Sequence, residues 1–246
     1  MGNWLLRRPP ENAETLLFAF PYAGGGAGTY RAWPAGIGRA AVCPVQPPGR
    51  ENRLYEPAHR SHEAFAEDLA DFLADHLDRP YVFFGHCGGV PFALSTMVVL
   101  ARRGLRLPER LFASSWGAPH RSLYGPLNFV DLATADLVGA VAEMYAKTGI
   151  SVRDDFVEIA ADVLRADLEA HRPWLYDAAS PVPCPVTVIS WSDDDVVEPD
   201  LVHAHWEECA KADHVRLAGE HFAFLDCPAS LQEVVVAGLD EPSSDQ

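Results

Sequence analysis

The chain has 246 residues, 48% of them hydrophobic and 22% charged, which is enough apolar material for a packed core and too much for a disordered chain. Lys and Arg total 19 against 35 Asp and Glu, a formal charge of −16 that opposes the basic face of a nucleic-acid binder and disfavours anionic membranes. The expectation is one domain over residues 1–240, with a polar tail over 241–246.

The first ten residues hold no apolar stretch between a basic head and a small-residue cleavage site. No run approaches the roughly 18 apolar residues of a membrane span. A soluble, cytoplasmic monomer is expected. Cys43, Cys87, Cys184, Cys209 and Cys227 are odd in number and form no Cys-x-x-Cys pair, so reduced thiols are expected.

Short apolar runs bounded by Gly and Pro alternate with helical stretches, the pattern of a mostly parallel sheet covered by helices. The predicted strands are Thr15 to Phe20, Ala40 to Val45, Tyr81 to Phe84, Arg110 to Ser115, Val186 to Ser190 and His214 to Leu217. Helices are predicted over His62 to His76, with Phe65, Leu69, Phe72 and Leu73 on one face, and over Pro91 to Arg103. Within 118–179 two helical segments, Asp131 to Lys147 and Asp154 to Ala170, follow one another with no strand between them. That reads as a helical insertion, a candidate lid if it overlies the carboxyl ends of the strands. The alternative is a helix pair that thickens one face of the sheet.

The third strand runs into Gly85-His86-Cys87-Gly88-Gly89 and then a helix, the form of a nucleophile elbow. Such a turn strains its central residue and presents it at a helix N-terminus, where the dipole favours a thiolate. A buried structural cysteine in a glycine-rich turn is the other reading. A general base and an orienting carboxylate are required in chain order after the nucleophile. Trp191-Ser192-Asp193-Asp194-Asp195 follows one strand and Gly219-Glu220-His221-Phe222 the last, so His221 is the predicted base, and the Asp cluster is either the acid or a solvated turn. His86 points away from the site if the elbow is right and reads as structural. Asp193, Asp194 and Asp195 with His203 and His205 lack a metal-ligand spacing, so no metal is expected. An oxyanion hole needs two backbone N–H groups, for which Gly88 and Ala23, at the mouth of the loop Gly24-Gly25-Gly26, are the candidates. Those glycines match neither a P-loop nor a dinucleotide fingerprint.

Over nearly its whole length the sequence resembles the type II, stand-alone editing thioesterases of polyketide and nonribosomal peptide biosynthesis, in the α/β-hydrolase superfamily. The resemblance rests on Phe18 to Gly26, on Gln46-Pro47-Pro48-Gly49-Arg50-Glu51-Asn52-Arg53 with Glu56-Pro57, on Gly85 to Gly89, on Leu164 to Leu168 through Tyr176, and on Gly219 to Phe222. The acid loop of relatives, Gly-x-x-Asp, falls on Ser192 to Asp195, which selects Asp195. The resemblance implies an α/β-hydrolase fold with a helical lid, no cofactor of its own, and acyl or peptidyl carrier proteins as partners, their acyl groups carried on phosphopantetheine. Tyr22, His86 and Phe222 are candidate substrate contacts, and Tyr124, Phe129, Met144, Tyr145 and Trp174 either line the pocket or simply pack. Arg50, Arg53 and Arg60, or Arg102, Arg103 and Arg106, are candidates for a basic patch that docks an acidic carrier.

Relatives typically carry Gly-His-Ser-Met-Gly, whereas here Cys87 and Gly88 stand at the centre of the elbow. An acyl-cysteine is itself a thioester, so thiol-to-thiol exchange is nearly isoenergetic. Three readings stay open: thioester hydrolysis, transfer or cyclising release from acyl-Cys87 to another thiol or an amine, and a binding protein that only holds carriers.

Overall fold

A computed structural model describes residues 4–149 and 153–241. Of the expected tail, all but Glu241 lies outside them. Among the described residues seven strands form one sheet: β1 (Thr15–Phe20), β2 (Gly36–Ile37), β3 (Ala40–Pro44), β4 (Tyr81–His86), β5 (Leu111–Ser114), β6 (Val186–Trp191) and β7 (Ala212–Leu217). Their order is β2-β3-β1-β4-β5-β6-β7, and every pairing is parallel except that of the two-residue β2 with β3. The predicted strands agree with the observed ones to within two residues. The antiparallel β2 was not anticipated, because two residues carry no periodicity.

The strands read as unbroken apolar runs because both faces of the sheet are covered. Successive side chains alternate between two cores: Leu16, Phe18, Phe20, Tyr81, Phe83 and Leu111 enter one, while Leu17, Ala19, Val82, Phe84, Phe112 and Ile189 enter the other. The first core is closed by α1 (His62–Leu73), through Phe65 and Leu69, and by α2 (Gly89–Arg102), through Val90, Leu94 and Met97.

Between β5 and β6 the described chain forms α3 (Leu137–Lys147) and α4 (Asp154–His171) and no strand. Leu137 and Val141 of α3 pack on Ala160, Ala161, Leu164 and Leu168 of α4, making a third small core. The predicted helix from Asp131 starts only at Leu137, because two aspartates divert the backbone. Asp131 accepts a hydrogen bond from the Ala133 N–H at 3.0 Å, and Asp136 caps α3 by accepting from the Gly139 N–H at 2.8 Å. The short α5 (Pro199–His203) follows β6, and α6 (Ala229–Asp240), which the sequence reading did not identify, closes the second core with Leu231, Val235 and Leu239.

No helix among the described residues is long and apolar enough to cross a membrane. The order β3-β1-β4 makes β1/β4 the point where the winding reverses, and a crevice opens there at the carboxyl ends of the strands. Phe112, fully buried in the second core, measures how far that packing supports the sheet. Phe112→Ala is expected to lower unfolding free energy by about 3–5 kcal/mol in a denaturant titration. Tyr55→Ala, at a fully exposed ring, should stay within about 0.5 kcal/mol of the parent.

Candidate active site

β4 ends at His86, and the chain turns through Cys87 into α2. Cys87 has φ +49, a strained left-handed value for a residue with a side chain, and its N–H is held by the Ser114 carbonyl at 2.8 Å. The flanking glycines make the turn possible by close approach. A Cβ on Gly85 would stand 2.8 Å from the Val90 nitrogen, and one on Gly89 would stand 2.6 Å from the Phe20 carbonyl oxygen. Cys87 is partly buried and packs against both main cores.

His221 opens the short 3-10 turn after β7, is 3% exposed, and carries its Nδ1 2.9 Å from both carboxylate oxygens of Asp194. Burial alone would push its imidazole down. The hydrogen bond to Asp194 and the neighbouring Cys87 sulfur, which is within hydrogen-bonding reach, outweigh burial and hold it at about 9. Asp194 is itself raised by desolvation, yet hydrogen bonds and the His221 charge bring it down to about 2. Its Oδ1 accepts from the Val196 and Val197 N–H groups, both at 2.9 Å, and its Oδ2 from the Ser115 hydroxyl at 2.7 Å.

The carboxylate against His221 therefore belongs to Asp194 and not to the predicted Asp195. The reason is the turn after β6. The Asp193 N–H bonds to the Gly219 carbonyl and the Asp194 N–H to that of Trp191, which curls the third residue after the strand inward. Asp195 comes next, is exposed, and meets Lys147 Nζ of α3 at 2.6 Å. Ser115, with φ +51 at the end of β5, was also missed in the sequence, where nothing distinguishes it from any strand-end serine.

Ala23 follows β1, and a Cβ on Gly88 would lie 3.1 Å from the Ala23 nitrogen, so the two predicted backbone donors are neighbours. A cavity of about 320 Å3 is lined by Ala23, Cys87, His221, Tyr22, Phe222 and, from the helical insertion, Leu164 among others. Of the predicted substrate contacts, Tyr22 and Phe222 face this cavity, and their rings meet edge to face at 5.6 Å. His86 does not. It is fully buried with Nδ1 2.9 Å from the Ser114 hydroxyl, its ring stacks on Phe224 at 3.8 Å, and burial keeps it neutral. Tyr124 and Met144 line the cavity, Tyr145 lines a second one of about 380 Å3 beyond Tyr22, Phe129 is exposed, and Trp174 stacks on His62.

The expected basic patch is not free. Arg50 and Arg53 are each 5% exposed, Arg50 bonded to Asp167 at 2.8 Å and Arg53 to Glu56 at 2.6 Å. Arg60 pairs with Glu169, Arg102 with Glu67, Arg103 with Asp71 at 2.6 Å, and Arg106 lies 3.6 Å from Glu109. Among the described residues, the group of metal-type side chains that converges is His205, Glu207 and Glu208, all exposed. Glu208 is already engaged by Arg121 and His120.

A cysteine on a strained strand-to-helix elbow, a carboxylate-bound histidine and an apolar cavity at the strand ends define an α/β-hydrolase-type site. The thioesterase domain family matches residues 15–235, and the chain belongs to that family. It is 34% identical over 240 residues, 90% of this chain and 86% of the relative, to a Brevibacillus parabrevis protein named linear gramicidin dehydrogenase LgrE. Among solved structures it is similar to RedJ, a thioesterase from the prodiginine biosynthetic pathway of Streptomyces coelicolor, with 32% identity, a TM-score of 0.77 and coverage of 96% and 89% of the two chains. It is also similar to YbtT, a type II thioesterase from the yersiniabactin pathway, with 26% identity, a TM-score of 0.78 and coverage of 95% and 96%. The protein is a thioester hydrolase, a type II thioesterase of the nonribosomal peptide and polyketide class.

Asp194→Asn is expected to lower turnover of an acyl thioester about a hundredfold or more, and Asp195→Asn to stay within about threefold. The raised His221 contributes stability in full below the unfolded histidine value near 6.5, and that contribution is lost as pH rises through about 9. The depressed Asp194 contributes in full above about 4, and that contribution is lost as pH falls through about 2. The stability gap between parent and Asp194→Asn, read by thermal melting, should accordingly be widest from about pH 4 to 6.5 and narrow towards 9.

Proposed function

We propose that the enzyme hydrolyses acyl groups carried on the phosphopantetheine arm of acyl or peptidyl carrier proteins, through a covalent acyl-Cys87 intermediate. The observation that carries this reading is Cys87 on a strained elbow within reach of His221, whose other nitrogen is bound by Asp194. His221 takes the thiol proton or already holds it in an imidazolium–thiolate pair, and the sulfur attacks the thioester carbonyl carbon. The Ala23 and Gly88 N–H groups stabilise the oxyanion, and His221 returns the proton to the departing pantetheine thiol. It then removes a proton from water, which attacks the acyl-cysteine, releases the free acid and restores the thiol. No metal or bound cofactor enters these steps, since the pantetheine arm arrives with the substrate. An editing role, clearing stalled acyl groups from an assembly line, fits the pathways of the relatives.

The cysteine itself favours a second reading. An acyl-cysteine keeps the thioester's energy, so a second carrier thiol or an amine can replace water with little loss of driving force. Intact mass spectrometry of enzyme and acyl-loaded carrier, with and without a second unloaded carrier, separates the two. Free acid appearing at the same rate in both mixtures supports hydrolysis. An adduct on Cys87 that persists until the second carrier is added, then moves to it, supports transfer. Cys87→Ala should abolish both, and full activity in that variant would overturn the nucleophile assignment.

A further inference from the structure

His171 is the last residue of α4, and its ring is fully buried against the elbow. Its Nδ1 lies 2.9 Å from Nε2 of His62, a residue 109 positions away at the start of α1. The His62 ring is stacked between Phe92 at 4.6 Å and Trp174 at 4.5 Å, and its Nδ1 lies 3.0 Å from the Ser95 hydroxyl. Both imidazoles are kept neutral chiefly by burial, His171 at about 4.

The direction of this chain follows from its far end. The Ser95 hydroxyl donates its proton to the Phe92 carbonyl at 3.0 Å, which leaves its oxygen to accept from His62 Nδ1 at 3.0 Å. His62 therefore carries its proton on Nδ1, its Nε2 accepts from His171 Nδ1–H, and His171 Nε2 is left as a bare lone pair. That nitrogen has no hydrogen-bond partner, although it is buried. It stands 2.8 Å from where a Cβ on Gly88 would sit, and the Ala23 Cβ stands 2.9 Å from the same point. The ring thus occupies the volume beside the backbone of Gly88 and Ala23. Because its Nε2 is unpartnered, both N–H groups stay free of it.

We infer that His171 is a positioning residue: a wedge on the helical insertion that sets the spacing of the Gly88 and Ala23 N–H donors. The ring is gripped on its far side by His62, so it cannot retreat, and glycine at 88 is the residue that leaves it room. The inference rests on the oxyanion role proposed above for those two donors. It joins the end of α4 to the transition state, so any shift of α4 alters the spacing of the donors.

The test compares two reactions of Cys87. Alkylation by iodoacetamide needs the thiolate and no oxyanion donor, whereas acylation by an acyl-pantetheine thioester needs both. His171→Ala is expected to slow acylation and lower kcat about tenfold or more with KM nearly unchanged, while the alkylation rate stays within about twofold. His171→Asn keeps an N–H for His62 but leaves the volume beside Gly88 empty, so it should regain thermal stability and remain as slow in acylation as His171→Ala. Phe112→Ala, in the core on the other face of the sheet, is the control for lost stability and should alkylate and acylate at parental rates when folded. Recovery of acylation in His171→Asn, or an equal fall of alkylation and acylation in His171→Ala, would overturn the inference. Failure of the parent enzyme to form any acyl adduct on Cys87 would instead overturn the underlying reading, and this inference with it.

Discussion

The buried ion pair between Arg50 and Asp167 ties three segments around the site together. Arg50 grips both carboxylate oxygens, at 2.8 and 2.9 Å, with the two side chains nearly inaccessible to water. Burying such a pair costs several kcal/mol per ion in lost hydration, and it is tolerated only when the remaining donors and acceptors are also satisfied. Here most of them are recruited from the backbone of the active-site loop, while Arg50 Nε is left without a partner. Asp167 accepts from the Gly24 N–H at 2.8 Å, and Arg50 donates to the Gly25 carbonyl at 2.7 Å. Gln46 extends the lattice by donating to the Arg50 carbonyl at 2.9 Å and accepting from the Ala27 N–H at 2.7 Å. The loop that carries Ala23, the segment from Gln46 to Arg53 and the helix α4 are thereby made one unit. Replacing such a pair by apolar residues is often neutral for stability, so its value here lies in the geometry it dictates to Ala23 and to α4.

The electrostatics around the elbow turn on burial and on what touches each imidazole. His62, His86, His171 and His221 are all at most 3% exposed, and burial pushes every one of them towards the neutral form. His86 and His221 have ring centroids only 4.6 Å apart, yet the first is driven well down and the second up to about 9. The difference is Asp194 together with the Cys87 sulfur, both of which His221 meets, whereas His86 bonds to the Ser114 hydroxyl instead. Of two adjacent imidazoles, one is made a base that can hold a proton and the other a fixed neutral support. The strained backbone of Ser115 is part of the same device, since its hydroxyl completes the shell that keeps Asp194 ionised.

What the sequence disclosed and what it withheld divide along a physical line. Strands buried on both faces leave continuous apolar runs, and an elbow needs glycines at fixed offsets, so both are written locally in the chain. The order of nucleophile, acid and base is likewise a property of the chain alone. Which of Asp193, Asp194 and Asp195 turns inward is not local. It is decided by hydrogen bonds to Gly219 on the neighbouring segment and to Trp191, and counting from Ser192 placed the acid one residue late. The arginines fail for a related reason. Sequence counts cations but not their partners: Arg50 finds Asp167 in the interior, and Arg53 is itself buried although its partner Glu56 is exposed. The His62–His171 contact spans 109 residues between two helices and leaves no trace in spacing at all.

Cysteine at the elbow changes where the reaction becomes irreversible. With a serine, forming the oxygen ester already releases part of the thioester's free energy, so the first half-reaction is downhill. In the proposed reaction of Cys87 the first half-reaction exchanges one thioester for another, with an equilibrium near unity. Hydrolysis by that route must then draw its whole driving force from the second half-reaction, in which His221 is the proposed activator of water. A site of this kind gains nothing by binding the acyl-enzyme tightly. It gains by stabilising the oxyanion of the second step, for which Ala23 and Gly88 are the proposed donors. Both proposed half-reactions would use the same two N–H groups, and Arg50, Asp167 and the helical insertion converge on the loop that carries one of them.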